Sequence, residues 1–283
     1  MKKIKKITFG QILAHIFLTA LFVLIVFPIF CSLMSSFKTN FEIMKDPGSI
    51  IPKSFTLKNY SDAWMLADFS TYTFNSIYMS VLIVFGTLFF STMAGYAFAR
   101  SNFKGKNALF FLFTSTMFLG FGSISIYPTL QVAKFLHVNN SLLGVVLITV
   151  MGTNVSNLFL CRNYLMGLDP GIEEAAEIDG CGFIRRFFLI VLPLMKPVIA
   201  TMGILSFVGA WNNYMLPMIF TLGNPKMAPL TVGIVALKGS GQGAASWNLM
   251  LAGTMISIVP MIIIYLIFNK NFVSGITAGG VKG

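Results

Sequence analysis

Five of the nine acidic residues in this 283-residue chain crowd into one short segment, at Asp169, Glu173, Glu174, Glu177 and Asp179. Carboxylates at that density can serve as general acids and bases, ligate a metal, or set the register of a protein contact. The segment carries no serine, cysteine, lysine or histidine, so no nucleophile–base constellation forms there. The three cysteines (Cys31, Cys161, Cys181) and two histidines (His15, His137) are scattered without the spacing of a metal site. What remains is contact chemistry. Ala175 and Ala176 lie among the carboxylates, and small side chains admit a partner backbone while flanking charges fix its register. A solvated helix whose charges serve solubility fits the same composition, and the residues by themselves leave both readings open.

A second group of residues combines aromatic faces with amides. Trp211, Asn212, Asn213 and Tyr214 are consecutive. Aromatic faces pack on C–H patches while amides bond to hydroxyls. The same four residues also suit helix packing, with asparagines bonding across helices and aromatics near an interface, and packing is the favoured reading. Asn75, Tyr127 and Gln131 are weaker candidates for the same role. No G-x-x-x-x-G-K-[ST] phosphate loop occurs, so ATP binding, if the system needs it, falls to another chain. The expectation is no cofactor and no metal in this one.

The elements that position these residues follow from hydropathy. The chain is 56% hydrophobic and 10% charged, with mean hydropathy +0.81, whereas soluble domains average about 25% charged. Six continuous apolar runs are read as transmembrane helices, over 11–36, 73–99, 107–136, 141–161, 187–222 and 247–269. They are too long and too continuous for barrel strands. The first run is too long for a cleaved signal and is expected to stay as a helix. The net charge of +11 belongs to run ends and orientation, not to nucleic acid. With Lys2, Lys3, Lys5 and Lys6 inside, inner segments hold 13 of the 20 basic residues, so both termini are expected on the cytoplasmic side. The expected organisation is a cytoplasmic N-terminus (1–10), a first helix (11–36), an extracytoplasmic segment (37–72), a five-helix domain (73–270) and a cytoplasmic tail (271–283). The spans carry almost no ionisable residue, which argues against an ion-coupled carrier.

The acidic segment then lies in a cytoplasmic loop. Asp169 is an apt N-cap and Pro170 an apt first helical residue. Glu173 and Glu174 would meet the positive end of the helix dipole, and Gly180 and Gly182 would end the helix. The expectation is a surface-exposed helix of roughly three turns within 170–182. A second helix would restart near Phe183 and enter the membrane past Pro193 and Pro197.

The spaced pattern Glu174-Ala175-Ala176-x3-Gly180-x9-Ile190-x-Leu192-Pro193 resembles the EAA motif of ABC-importer permeases at every fixed position. Tyr96-Ala-Phe-Ala-Arg100, Tyr127-Pro-Thr-Leu130, Trp211-Asn-Asn-Tyr214 and the terminal Gly275-Ile-Thr-Ala-Gly-Gly-Val-Lys-Gly283 are similar to the carbohydrate-uptake, maltose-type branch, and within it to the smaller, six-helix partner of a permease pair. The Asp169-Pro-Gly-Ile172 stretch departs from the Pro-x-Glu-Leu run of many relatives without disturbing the spacing. The resemblance covers nearly the whole chain. It implies an all-α membrane fold of the type I ABC importer class. It also implies a coupling helix that docks on a cytoplasmic ATPase through Glu173, Glu174, Ala175, Ala176, Asp179 and Gly180, with Ile190, Leu192 and Pro193 anchoring the return. By the same resemblance the partners are a second permease, two ATPase copies holding ATP and magnesium, an extracytoplasmic binding protein and a sugar. The tail residues Ala278, Gly279, Gly280 and Lys282 would reach toward the ATPase on an extended path, in a bacterial inner or plasma membrane. The alternatives are an ABC permease for a non-sugar solute and an autonomous secondary carrier.

Overall fold

The computed structural model describes residues 9–66, 68–119, 122–152, 154–239 and 246–280. These residues are helical or irregular, and no strand occurs among them. Helix α1 (Phe9–Ser36) is unbroken. None of its most apolar stretch is buried by the rest of the chain, as suits a helix solvated by lipid or by another subunit. Two short helices, α2 (Asn40–Lys45) and α3 (Lys58–Leu66), precede the 32-residue α4 (Phe69–Arg100).

The third apolar run is not one helix. It forms α5 (Lys106–Thr116), a 3-10 turn (Gly122–Ser125) and α6 (Ile126–Phe135). Thr114, Ser115 and Thr116 turn their hydroxyls onto the carbonyls of Phe110, Phe111 and Phe113 at 2.6–2.9 Å. Hydroxyls that bond back to the preceding turn loosen a helix near its end. The fourth run is bent by 45° between α7 (Leu142–Met151) and α8 (Val155–Met166), where Asn154 accepts a bond from the Asn157 N–H at 3.4 Å and caps the second half.

After α9 (Gly171–Ile178) comes α10 (Phe183–Leu194), which contains a π-helical stretch at Phe187–Val191. An 81° bend joins it to α11 (Lys196–Trp211). Pro193 and Pro197 lack the N–H groups that would carry the ladder across Met195. Then follow α12 (Met215–Thr221), α13 (Leu230–Ala236) and α14 (Trp247–Gly280). Among the described residues, three helices are long and apolar enough to cross a bilayer, or up to five if each bent pair is one span, so several of the expected apolar runs are interrupted. Hydroxyl, glycine and proline breaks are invisible to a hydropathy average.

The chain divides into two compact units. In the first (Met1–Phe69 with Ile234–Ile258), the segment after α1 is folded tightly. Asn59 donates to the carbonyls of Ser36 and Lys38 at 2.7 and 2.8 Å and accepts from Asn248 at 2.8 Å. The buried Lys38 ammonium is held by the carbonyl and hydroxyl of Ser49. Among its described residues, the second unit (Ser70–Gly233 with Val259–Gly283) gathers apolar side chains at two places. One gathers Met79, Ile83, Val145 and Phe220. The other gathers Tyr96, Cys161, Leu165, Phe187, Val191 and Met202. In the latter, α4 and α8 touch through Gly95, where a Cβ would collide with Cys161 Sγ. That centre is the floor on which α9 rests.

Candidate functional site

Asp169, the expected cap, stands one residue before the capping position, its carboxylate accepting from the Gly171 N–H at 2.9 Å. Pro170 occupies the capping position with helical dihedrals, and α9 is eight residues long, closer to two turns than to the expected three. The chain stops early because Gly180 and Cys181 fold back onto the carbonyls of Glu177 and Ala176 at 3.0 and 2.9 Å. Gly180 does so with φ +81°, a left-handed conformation that glycine adopts without the Cβ clash.

The expectation of a surface-exposed helix is corrected at Glu173, which is buried, as is Ala176. The Tyr96 hydroxyl donates to Glu173 Oε2 at 3.0 Å, and Arg100 Nε donates to Oε1 at 2.7 Å. Arg100 Nη2 also donates to the Leu168 carbonyl at 3.1 Å. From the other side Arg186 Nη1 donates to the Glu173 carbonyl at 3.2 Å and to Glu177 Oε2 at 2.5 Å, while its Nε reaches the Tyr96 oxygen at 3.3 Å. The Tyr96 ring stacks on Phe183 at 4.6 Å and leans on Phe187 at 5.1 Å. Two guanidinium and two carboxylate charges thus balance, and both Glu173 oxygens are satisfied, as burial of an ion requires.

The opposite face of α9 is open. Glu174, Ala175, Asp179 and Gly180 are exposed, and Ile178 is 87% exposed. An aliphatic side chain so exposed beside an alanine makes a small apolar contact flanked by Glu174 and Asp179. On the return, Ile190 is half-buried, Leu192 packs against the second apolar centre, and Pro193 is exposed at the start of the bend.

Sequence reasoning missed Tyr96, Arg100, Arg186 and Ile178 as parts of this site. The i, i+4 spacing of Tyr96 and Arg100 places both on one helix face, which is a signal. Their partner, however, lies 77 and 73 residues away, beyond any local pattern.

A second feature was also missed. At the break between α7 and α8, a cleft of about 600 Å³ is lined by Thr116, Met117, Thr149, Gly152, Asn154, Val155 and Ser156. The Thr149 hydroxyl is buried there without a partner. Discontinuous helices place polar groups at membrane depth where a polar solute can use them. This lining offers hydroxyls and an amide and no formal charge.

The residues first singled out for solute contact do not form one surface. Trp211 is buried, its ring stacked on Phe207 at 5.5 Å. Asn212 is exposed, Tyr214 is half-buried, and the Asn213 carbonyl accepts from the Thr231 hydroxyl at 3.0 Å. Asn75 donates to the carbonyls of Lys226 and Ala228 at 2.9 and 3.0 Å, pinning the loop after α12 to α4. Tyr127 and Gln131 are exposed on α6. In the tail, the backbone of Ala278, Gly279 and Gly280 continues α14 as helix and is not extended, since glycine permits an extended path without imposing one. Lys282, like Lys2, Lys3, Lys5 and Lys6, lies outside the described residues. Among the described residues no cluster of three metal-ligating side chains occurs.

With this geometry in hand, known proteins supply a comparison. Residues 66–277 match the family described as the binding-protein-dependent transport system inner membrane component. The arabinooligosaccharides transport system permease protein AraQ of Bacillus subtilis is 34% identical over 276 residues, 96% of each chain. The sulfoquinovosyl glycerol transport system permease protein SmoH of Agrobacterium fabrum is 33% identical, covering 97% of this chain and 95% of its own. A chain in the crystal structure of a bacterial ABC transporter involved in the import of the acidic polysaccharide alginate has the same fold, with TM-score 0.77 at 23% identity over 93% of this chain and 96% of that one.

Proposed function

Because the chain belongs to the family of binding-protein-dependent transport system inner membrane components, we propose that it carries a neutral oligosaccharide and takes its driving force through α9. In coarse terms it is a multi-pass membrane protein and a permease subunit of a sugar-importing ATP-binding-cassette system, a transport subunit rather than an enzyme. The finer reading has three parts. A cytoplasmic ATPase, which binds ATP and magnesium, receives the open face of α9. A second permease completes the channel. An extracytoplasmic binding protein delivers the solute.

The observation that carries the proposal is the two-sidedness of α9. Glu173 and Ala176 are buried in its own chain, while Ala175 and Ile178 face outward between charged flanks. A helix there for solubility alone has no reason to anchor one carboxylate in a buried network and to present an isoleucine. Both termini and α9 then share the cytoplasmic side, in keeping with the basic bias of those segments. The neutral hydroxyl and amide lining at the α7–α8 break supports an uncharged, polyhydroxylated solute. The arabinooligosaccharide relative favours an oligosaccharide over a monosaccharide.

The test is uptake of radiolabelled arabinotriose, maltotriose and glucose by cells with the intact chain, without it, with Gly180→Val, or with Thr149→Val. The expected result is loss of one oligosaccharide in both the deletion and the Gly180→Val strain. Thr149→Val should raise the KM for that sugar several-fold. Unchanged uptake of all three in the deletion strain would refute the proposal.

A further inference from the structure

Helix α9 is joined to its sequence neighbours by pliable links. Gly167 stands between it and α8, and Gly180 and Gly182 stand between it and α10. Backbone continuity alone would let α9 swing. Its position is held instead by the Glu173 cluster, whose other members come from the last turns of α4 and the first turn of α10. Arg100 holds Glu173 and the Leu168 carbonyl, so the cluster grips α9 at its side and at its approach. Arg186 holds the Glu173 carbonyl, the Glu177 carboxylate and the Tyr96 hydroxyl, which closes the ring of contacts. The Arg100 and Glu173 side chains are 16% and 9% exposed, so water competes little for these bonds.

We propose that Glu173, Tyr96, Arg100 and Arg186 are positioning residues that lock α9 to the end of α4, so that a displacement of α9 moves α4 directly. This rests on the reading of α9 as the docking helix. It goes beyond that reading in naming the element that receives the motion and the four side chains that deliver it. Helix α4 is 32 residues long and by length and composition crosses the membrane unaided. A displacement locked to its inner end reaches the opposite end without an intervening loop. The neighbouring α10, which carries the π-helical stretch and leads to the 81° bend, is the compliant partner in the joint.

A purely structural role for the cluster and a positioning role differ in what happens during the ATP cycle. Spin labels placed at Met93→Cys on α4 and Ile172→Cys on α9, both exposed positions, report the separation by pulsed electron paramagnetic resonance. The full importer is used in nanodiscs, with Cys31, Cys161 and Cys181 replaced by serine. In the intact cluster the distance distribution is expected to be narrow and the same without nucleotide and after trapping with ATP and vanadate. With Arg100→Met the distribution should broaden, or shift on trapping by more than about 2 Å, the scale of helix shifts in switching proteins. Arg100→Lys keeps the charge and should stay narrow. If Arg100→Met does not assemble, Tyr96→Phe, which removes one hydroxyl, is read by the same criterion. The proposal is overturned if the variant matches the intact cluster in both states, or if the intact distance itself shifts on trapping. If the intact importer cannot be trapped with ATP and vanadate at all, the docking reading falls and the joint falls with it.

Discussion

Glu173 and Glu174 are adjacent carboxylates with opposite surroundings, one held by Tyr96 and Arg100 and the other exposed. Their substitutions should separate stability from the proposed docking. Glu173→Ala leaves the half-buried Arg100 guanidinium without its carboxylate, a loss of up to about 3 kcal/mol. Glu174→Ala should fall within about 0.5 kcal/mol of the parent. Thermal unfolding of the detergent-solubilised protein reads the difference, and equal shifts would refute the burial of Glu173. Glu177 also pairs with Arg186, but its side chain is 69% exposed, so Glu177→Gln should cost no more than about 1 kcal/mol. Gly95 gives a second residue-scale prediction. Gly95→Ala pushes a methyl against Cys161 Sγ and should destabilise by about 1–3 kcal/mol. Cys161→Ala in the same chain should recover part of that loss, a coupling measurable as a double-mutant cycle.

Among the elements, α9 was largely legible before any coordinates. Its acidic turn at Asp169 and its terminator at Gly180 are local signals that appear in the structure as a hydrogen bond and a dihedral, although Pro170 and not Asp169 holds the capping position. What was not legible was which carboxylate turns inward. That depends on Tyr96 and Arg100, and no periodicity within α9 refers to a helix more than seventy residues earlier. The breaks in the apolar runs escaped for a related reason. Hydropathy averages count Thr114, Ser115, Gly152 and Pro193 as small dilutions, whereas each acts on the backbone ladder. Two element-scale outcomes follow. Ile178→Asp should cut co-purification of the proposed ATPase partner at least several-fold while leaving membrane insertion intact, read by pull-down from solubilised membranes. Asn154→Ala removes the cap of α8 and should cost about 1 kcal/mol, seen as a lower unfolding temperature.

At the scale of the molecule, the proposed orientation can be checked by cysteine labelling in a background without native cysteines. Asp46→Cys, on the proposed outer side, should react with an impermeant maleimide in intact cells with an open envelope. Lys104→Cys should react only after the membrane is permeabilised, and the reverse pattern would invert the topology. The bent spans carry one more consequence, for biogenesis. Helices α7 and α8 have ten and twelve residues, about 15 and 18 Å of rise against a hydrocarbon thickness of about 30 Å. Neither can be handed to lipid alone. If the pair is one span, residues 142–166 enter the bilayer as one unit, and a pause in translation between α7 and α8 is expected to delay insertion of that span before any tertiary packing is at stake.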